Sequence, residues 1–220
     1  MYSAQRRVVS TVKAVCDAME NDIYSLHFTP GSRISEIDLP ARYGVSRNTI
    51  REAIAFLIAA GLLVKVANKG VFVRQITSDD VREIFHLRGL LESEAIRLIV
   101  QSGTVPNDVM LAAEKLGQIE IADVKAHAAA DIDFHEALVR SAGSSRLDRL
   151  YGAINAEVKL CIFQSLAFLP IHQNNAVSHM QILQAMNENT PDRAIRLLAE
   201  HMVSAIKSYE LAYLVKESEE

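Results

Sequence analysis

At 220 residues, half of them hydrophobic, the chain has room for two compact domains and is too apolar to be a disordered one. Its net charge of -4 argues on the whole against nucleic-acid binding, but the charge is unevenly placed. Through Ile76, ten Lys and Arg stand against six Asp and Glu, and beyond it thirteen stand against twenty-one, so a basic head precedes an acidic body. That division is expected of a DNA-binding module joined to a regulatory one. The two cysteines, Cys16 and Cys161, form no CxxC motif and read as reduced thiols of a cytosolic protein. With no basic-then-apolar leader and no uncharged apolar run of about 18 residues, a soluble, cytoplasmic protein is expected.

In chain order, residues 4–26 carry Val8, Val12, Val15, Met19 and Ile23 at spacings of three and four, one apolar stripe on a helix. Thr29-Pro30-Gly31 breaks it. Ser35 with Asp38 three residues on reads as a capping box for a short helix that ends at Tyr43-Gly44. A second helix starts at Ser46, turns Ile50, Ala53, Ile54 and Leu57 to one face, and stops at Ala60-Gly61. The period then changes. Residues 62–66 and 71–73 are β-prone runs on either side of Ala67-Asn68-Lys69-Gly70, a hairpin turn. A domain boundary is placed between 76 and 77, with Ser78 or Asp79 capping a long new helix. From there to Tyr213 the period is helical, with breaks near Gly103, Gln118 to Ile121, Gly143, Leu169-Pro170 and Pro191. Six helices result, an all-helical bundle, and residues 216–220 read as a frayed polar tail. The fold class is mainly α: a winged helix-turn-helix at 1–76 and a helical bundle at 77–220.

The helix, Gly-containing turn, second helix and hairpin place specific chemistry. Arg47 and Asn48 fall in the first turn of the second helix, with Arg51 one turn later on the same side. A recognition helix presents such N-terminal residues to the major groove, where Arg pairs bidentately with guanine. Ser46, Thr49 and the helix N-terminal amides suit phosphates. Lys69 and Gly70 at the hairpin tip suit a wing lying close to the DNA, and Arg33 is a weaker phosphate candidate. One recognition helix offers few base contacts, so a homodimer on a near-palindromic operator is expected.

Gly31, Leu39, Gly44-Val45-Ser46-Arg47, Ile50-Arg51-Glu52-Ala53, Leu57, Gly61-Leu62 and Gly70-Val71-Phe72-Val73 fall in one register. From Val8 to Arg74 the chain resembles the GntR family of bacterial regulators, whose signature runs VSRxxxREAxxxL to a GL and a Gly-containing wing. The resemblance implies a transcriptional regulator. Two positions depart from it: Ile37 stands where members often carry a basic residue, and Pro40 where a small helix former is usual.

Asp131 and His135, four apart in Asp-Ile-Asp-Phe-His-Glu-Ala-Leu, project from one helix face. His179 falls on a helix spanning about 174–186, and His201 on the last one. Three imidazoles and a carboxylate converging in a bundle suit a divalent transition metal, zinc first, with nickel or manganese also compatible. An Asp/His pair at this spacing equally marks a salt-bridged helix surface, and spacing alone leaves both readings open.

Residues 79–209 resemble the FCD effector domain of the FadR-like subfamily, through Leu87-Arg88, Leu91-Glu92, Asp131-x-x-Phe134-His135, His179 and His201. The resemblance implies metal at those four ligand-type positions and a small organic-acid effector, hence a repressor released by a carboxylate. Arg88, Asn155 and Lys159 are candidates for lining the same cavity, although Arg88 is also placed to pair with Glu92 across one turn. The alternatives are a regulator with a purely structural metal site and a metal-dependent enzyme. The enzyme reading has only Asp133 or Glu136 to offer as a general base, both off the ligand face, and leaves the winged helix unexplained.

Overall fold

The computed structural model describes residues 11–120, 123–166 and 175–219. The chain divides into two compact units, Met1–Gln75 and Ile76–Glu220.

In the first unit, α1 (Thr11–Tyr24) buries Val15, Met19 and Ile23, the stripe read from spacing; Val8 lies outside the described residues. The short helix α2 (Leu39–Tyr43) starts later than a Ser35 cap would require. The Ser35 carbonyl instead accepts from the N–H groups of Asp38 and Leu39, at 3.2 and 3.3 Å, which closes a separate turn. Asp38 takes the cap position without a side-chain bond, and Pro40 sits in the first turn, where its missing N–H costs nothing. Helix α2 ends at Gly44, whose φ of 66° is the left-handed conformation that favours glycine. Helix α3 (Arg47–Ala59) is capped by the Ser46 hydroxyl, which accepts from the N–H of Thr49, and it buries Ile50, Ala53, Ile54 and Leu57.

The hairpin forms from β2 (Leu63–Val66) and β3 (Gly70–Val73), with Asn68 at φ 60° in its turn. A third strand, β1 (Arg33–Ile34), pairs on the other side of β3 in the order β1-β3-β2, with Arg33 opposite Phe72. Two residues are too short to show a period of two, which is why periodicity gave no sign of this strand.

Among the described residues the second unit has six helices: α4 (Ser78–Gln101), α5 (Asn107–Gln118), α6 (Val124–Ser141), α7 (Ser145–Ser165), α8 (Asn175–Asn187) and α9 (Pro191–Glu219). Neither Ser78 nor Asp79 caps α4. Thr77 does, in a reciprocal capping box with Asp80. The backbone of Ile76, the residue before it, donates to Gln164 Oε1 at 3.2 Å. Helix α9 continues to Glu219 where a frayed tail was expected; Lys and Glu are good helix formers, and no Gly or Pro interrupts them. The expected break at Leu169-Pro170 lies outside the described residues. Helix α4 packs against α6, α7 and α9, and α8 packs against α9. Their apolar faces meet in a core that includes Phe85, Ile96, Phe134, Leu138, Ile182 and Leu198. A group of charged and polar side chains is buried within this unit as well.

Candidate DNA-reading surface and metal centre

The first turns of α3 present Arg47, Asn48 and Arg51 to solvent. Arg51 Nε lies 3.7 Å from Glu36 Oε2, an exposed and therefore weak pair that leaves the guanidinium able to exchange partners. Ser46 Oγ accepts from Thr49 N at 3.1 Å and lies 2.9 Å from Thr49 Oγ1. Both hydroxyls thus serve the cap, and that cap fixes where Arg47 and Asn48 leave the helix. Lys69 is exposed at the hairpin tip, its N–H closing the turn onto the Val66 carbonyl at 3.1 Å. The β1–β3 pairing carries Arg33 to the base of the same wing. Gly70 has φ 112°, a backbone conformation that favours glycine, and a Cβ there would stand 3.1 Å from Arg33 Nε, a close approach that the exposed guanidinium can relieve by shifting. Sequence had offered Arg33 and Gly70 separately, and their meeting depends on the strand it did not reveal.

In the helical unit, three helices bring four expected residues to one point. Helix α6 carries Asp131 and His135, α8 carries His179 and α9 carries His201. All four are buried, and one ligand atom from each lies within 4.8 Å of all the others. Asp131 Oδ1 is 3.2 Å from His179 Nε2 and 3.9 Å from His135 Nε2. The Nε2 atoms of His135 and His179 face each other at 3.0 Å. Phe134 packs edge-on against both rings, with centroids at 5.2 and 4.6 Å. The far nitrogens are occupied: His135 Nδ1 is 2.6 Å from Glu92 Oε2 and His201 Nδ1 is 3.1 Å from Ser178 Oγ.

Electrostatics prepare these groups as ligands. Burial and then the Arg88 charge push the His135 ring below the ordinary histidine range despite Glu92 and Asp131, and burial and the other two imidazoles do the same to His201, so both stay neutral at physiological pH. Burial would raise the Asp131 carboxyl, but the hydrogen bond from His179 and the charges around it outweigh burial and keep it ionised. Burial likewise opposes ionisation of Glu92, yet His135 and Arg88 hold it at about 2.

The donor set fits a divalent transition metal. Metal–nitrogen bonds of about 2.0–2.1 Å place neighbouring ligand atoms roughly 3.0–3.4 Å apart and opposite ones roughly 4.2 Å apart. Donors already within 4.8 Å of one another need only a small contraction to meet those separations. Three imidazoles and one carboxylate are also the donor chemistry such ions take.

Arg88, a candidate effector ligand, is 1% exposed and pairs with Glu92 at 2.8 Å through Nε. Its Nη2 has no hydrogen-bond partner among the described residues and lies 3.8 Å from Asp131 Oδ2. Asn155 and Lys159 are placed differently. Each meets a Glu136 oxygen at 2.7 Å, on the residue that follows His135. Asp133, one of two possible bases in an enzyme reading, is exposed and paired with Lys115 at 2.7 Å. Sequence reading gave no site role to Glu92 and overlooked Tyr151, whose hydroxyl donates to Glu92 Oε1 at 3.0 Å. A signal for Glu92 existed: Arg88 and Glu92 fall in register with Phe85, Ala95 and Ile99 on the buried face of α4.

Comparison with known proteins agrees with this architecture. The gntR family of bacterial regulatory proteins matches residues 11–73, and the FCD domain matches residues 83–204. The chain is 28% identical over 208 residues to the "Probable D-xylose utilization operon transcriptional repressor" of Paenarthrobacter nicotinovorans, covering 93% of this chain and 92% of that one. It is 33% identical over 140 residues to the Nta operon transcriptional regulator of Aminobacter aminovorans, covering 61% of this chain and 65% of that relative. Among solved structures, a transcriptional regulator GntR from Rhodococcus sp. RHA1 superimposes with a TM-score of 0.80 at 28% identity, covering 91% of this chain and 98% of that one. These families and relatives are transcriptional regulators, not enzymes. Among the described residues no helix is long and apolar enough to cross a membrane. The chain therefore belongs to the gntR family of bacterial regulatory proteins, with a helix-turn-helix DNA-binding domain followed by an FCD domain, and is a transcriptional regulator.

Proposed function

We propose that this regulator is a cytoplasmic, homodimeric repressor whose helical unit holds a divalent transition metal and is released from its operator by a small carboxylate. Residues 1–76 form the DNA-reading domain and 77–220 the sensing domain. Arg47, Asn48 and Arg51 read base edges in the major groove. The Ser46–Thr49 cap and the α3 N-terminus face the phosphates. Arg33, Lys69 and Gly70 bring the wing against the backbone.

The observation that carries the sensing half is the convergence of Asp131, His135, His179 and His201, buried and within 4.8 Å, from three different helices. When bound, the metal, zinc first with nickel or manganese as alternatives, supplies a Lewis-acidic point for an organic-acid oxygen. The chain's own residues supply the rest. Neutral His135 and His201 offer lone pairs, and Asp131 contributes negative charge. Arg88 Nη2, buried and without a hydrogen-bond partner among the described residues, is a donor for a second anionic oxygen beside the cluster. Asn155 and Lys159 enter through Glu136, with which an anionic effector would compete for the same two donors. An acid held this way alters the packing of α6, α8 and α9, and the dimer reads that change as altered operator affinity.

The test is metal analysis of the purified parent and of the His135→Ala, His179→Ala double variant, with operator binding measured across a panel of small carboxylates. The parent should carry stoichiometric metal and lose operator affinity with one of the acids. The variant should carry none and ignore the acid, yet keep part of its operator affinity. A metal-loaded double variant would sink the site. A metal-loaded parent indifferent to every acid would leave the metal a structural role only.

A further inference from the structure

Helix α4 contributes none of the four metal-type ligands, yet its side chains back two of them. Arg88 lies against Asp131, and Glu92 lies against His135. We propose that Glu92 is the positioning residue of this centre: it accepts the Nδ1–H of His135 and so fixes the tautomer that leaves Nε2 as the lone-pair donor. The inference rests on the metal reading above.

Three observations support it. Glu92 is fully buried, and each of its oxygens is committed. Oε1 accepts from Arg88 Nε at 2.8 Å and from the Tyr151 hydroxyl at 3.0 Å, which leaves Oε2 turned to His135 Nδ1 at 2.6 Å. The carboxylate is therefore held from two helices, α4 through Arg88 and α7 through Tyr151, and cannot rotate away from the ring without losing buried hydrogen bonds.

Second, the opposite tautomer is penalised. With the proton on Nε2, the Nδ1 lone pair would face a carboxylate oxygen at 2.6 Å between two fully buried side chains, two acceptors with no proton between them. With the proton on Nδ1, the same contact is a charge-assisted hydrogen bond. Third, the choice has a consequence at the other end of the ring. His135 Nε2 is 3.0 Å from His179 Nε2 and 3.9 Å from Asp131 Oδ1, so Nε2 is the atom directed at the cluster. A proton there would block its lone pair. A carboxylate on the far nitrogen is the usual way to orient a ligating imidazole and raise its basicity.

Glu92→Gln tests this while keeping shape and volume. With the Gln carbonyl held by Arg88 and Tyr151, its NH2 group faces Nδ1 and favours the tautomer with the proton on Nε2. Long-range 1H–15N spectra of 15N-histidine-labelled, metal-free full-length protein read the tautomer directly. The parent should show His135 protonated on Nδ1, and Glu92→Gln should move that proton to Nε2. Zinc affinity, measured by competition with a chromophoric chelator, should fall about ten- to a hundredfold in Glu92→Gln. Tyr151→Phe removes one support but keeps the carboxylate, so the parent tautomer and most of the affinity should survive.

A purely structural Glu92 would lower stability while leaving the tautomer and the zinc affinity of the folded variant unchanged, and that result overturns the proposal. Should Glu92→Gln not fold, the parent still decides: His135 protonated on Nε2 overturns it, and Nδ1–H supports it. A parent that takes up no zinc defeats the metal reading itself. A parent that binds zinc as tightly as Glu92→Gln does defeats only the role given to Glu92.

Discussion

The α3–wing surface and the interior of the helical unit both concentrate polar side chains, but on opposite terms. Arg47, Asn48, Arg51 and Lys69 stand in water, the first three on the helix capped by Ser46 and Lys69 at the hairpin turn. Each can be changed at little cost to the fold, and in the proposed role each would exchange hydration for a phosphate or a base edge when DNA arrives. Arg88, Glu92, Asp131 and the three imidazoles are buried, so most of their charges and hydrogen bonds are met within the group, with Tyr151 and Ser178 adding to it and only Arg88 Nη2 left without a hydrogen bond among the described residues. A surface of the first kind separates binding from stability. An interior of the second kind couples them, because removing one member leaves another buried and unpaired.

The sharpest break of that contrast is Arg88→Ala. It strips Glu92 of its guanidinium partner and should cost about 3–5 kcal/mol of stability, as loss of one member of a buried pair does. Urea unfolding followed by circular dichroism measures it, and a loss below about 1 kcal/mol would mean the network tolerates gaps as a surface does.

Acid should act on the interior next. His135 and His201 have folded pKa values depressed below their unfolded value of 6.5, so the unfolded chain binds more protons as pH falls. Their contribution is full above 6.5 and is lost as pH drops below it. Asp131 and Glu92, also depressed, add a second loss as pH falls below their ordinary values of 3.8 and 4.5 toward the folded ones. Metal-free protein should therefore lose thermal stability from pH 7 to pH 5, and metal affinity should fall over the same interval. A melting temperature flat across that range would indicate charged imidazoles in the folded state.

On the surface the effects should be smaller and confined to DNA. Arg47→Ala and Arg51→Ala should each cost about 1–3 kcal/mol of specific operator binding, or lower the salt dependence where the contact is to phosphate, with stability within about 0.5 kcal/mol of the parent. Titrating labelled operator at two salt concentrations distinguishes these outcomes. Unchanged operator affinity in both variants would remove α3 as the reading helix.

The caps give the smallest effects and sharpen the comparison within one type of interaction. Ser46→Ala and Thr77→Ala should each lose about 1 kcal/mol of stability. Ser46→Ala should weaken operator binding too, since that cap sets the exit of Arg47 and Asn48, whereas Thr77→Ala caps a helix outside the DNA-reading domain and should leave binding nearly unchanged.

Local pattern was enough for much of this molecule. The 3.6-residue period placed α1, α3 and the six helices of the second unit, because an amphipathic helix writes its buried face into neighbouring residues. The register from Gly44 to Leu57 placed the helix proposed to read DNA, and the Asp131/His135 spacing put two ligand-type groups on one face. Cap positions were less legible. Ser35, Ser78 and Asp79 all have capping chemistry, but which residue caps depends on where the preceding chain turns, and Thr77 and Asp38 hold those positions instead. Only tertiary structure decided what lies between distant residues. The strand β1 exists because β3 offers it an edge, and it carries Arg33 to Gly70. Glu92, His135 and Tyr151 come from three helices, and their hydrogen bonds span 43 and 59 positions of sequence. No local period encodes such a meeting, since it is fixed by how helices pack and by the demand that every buried charge find its partner.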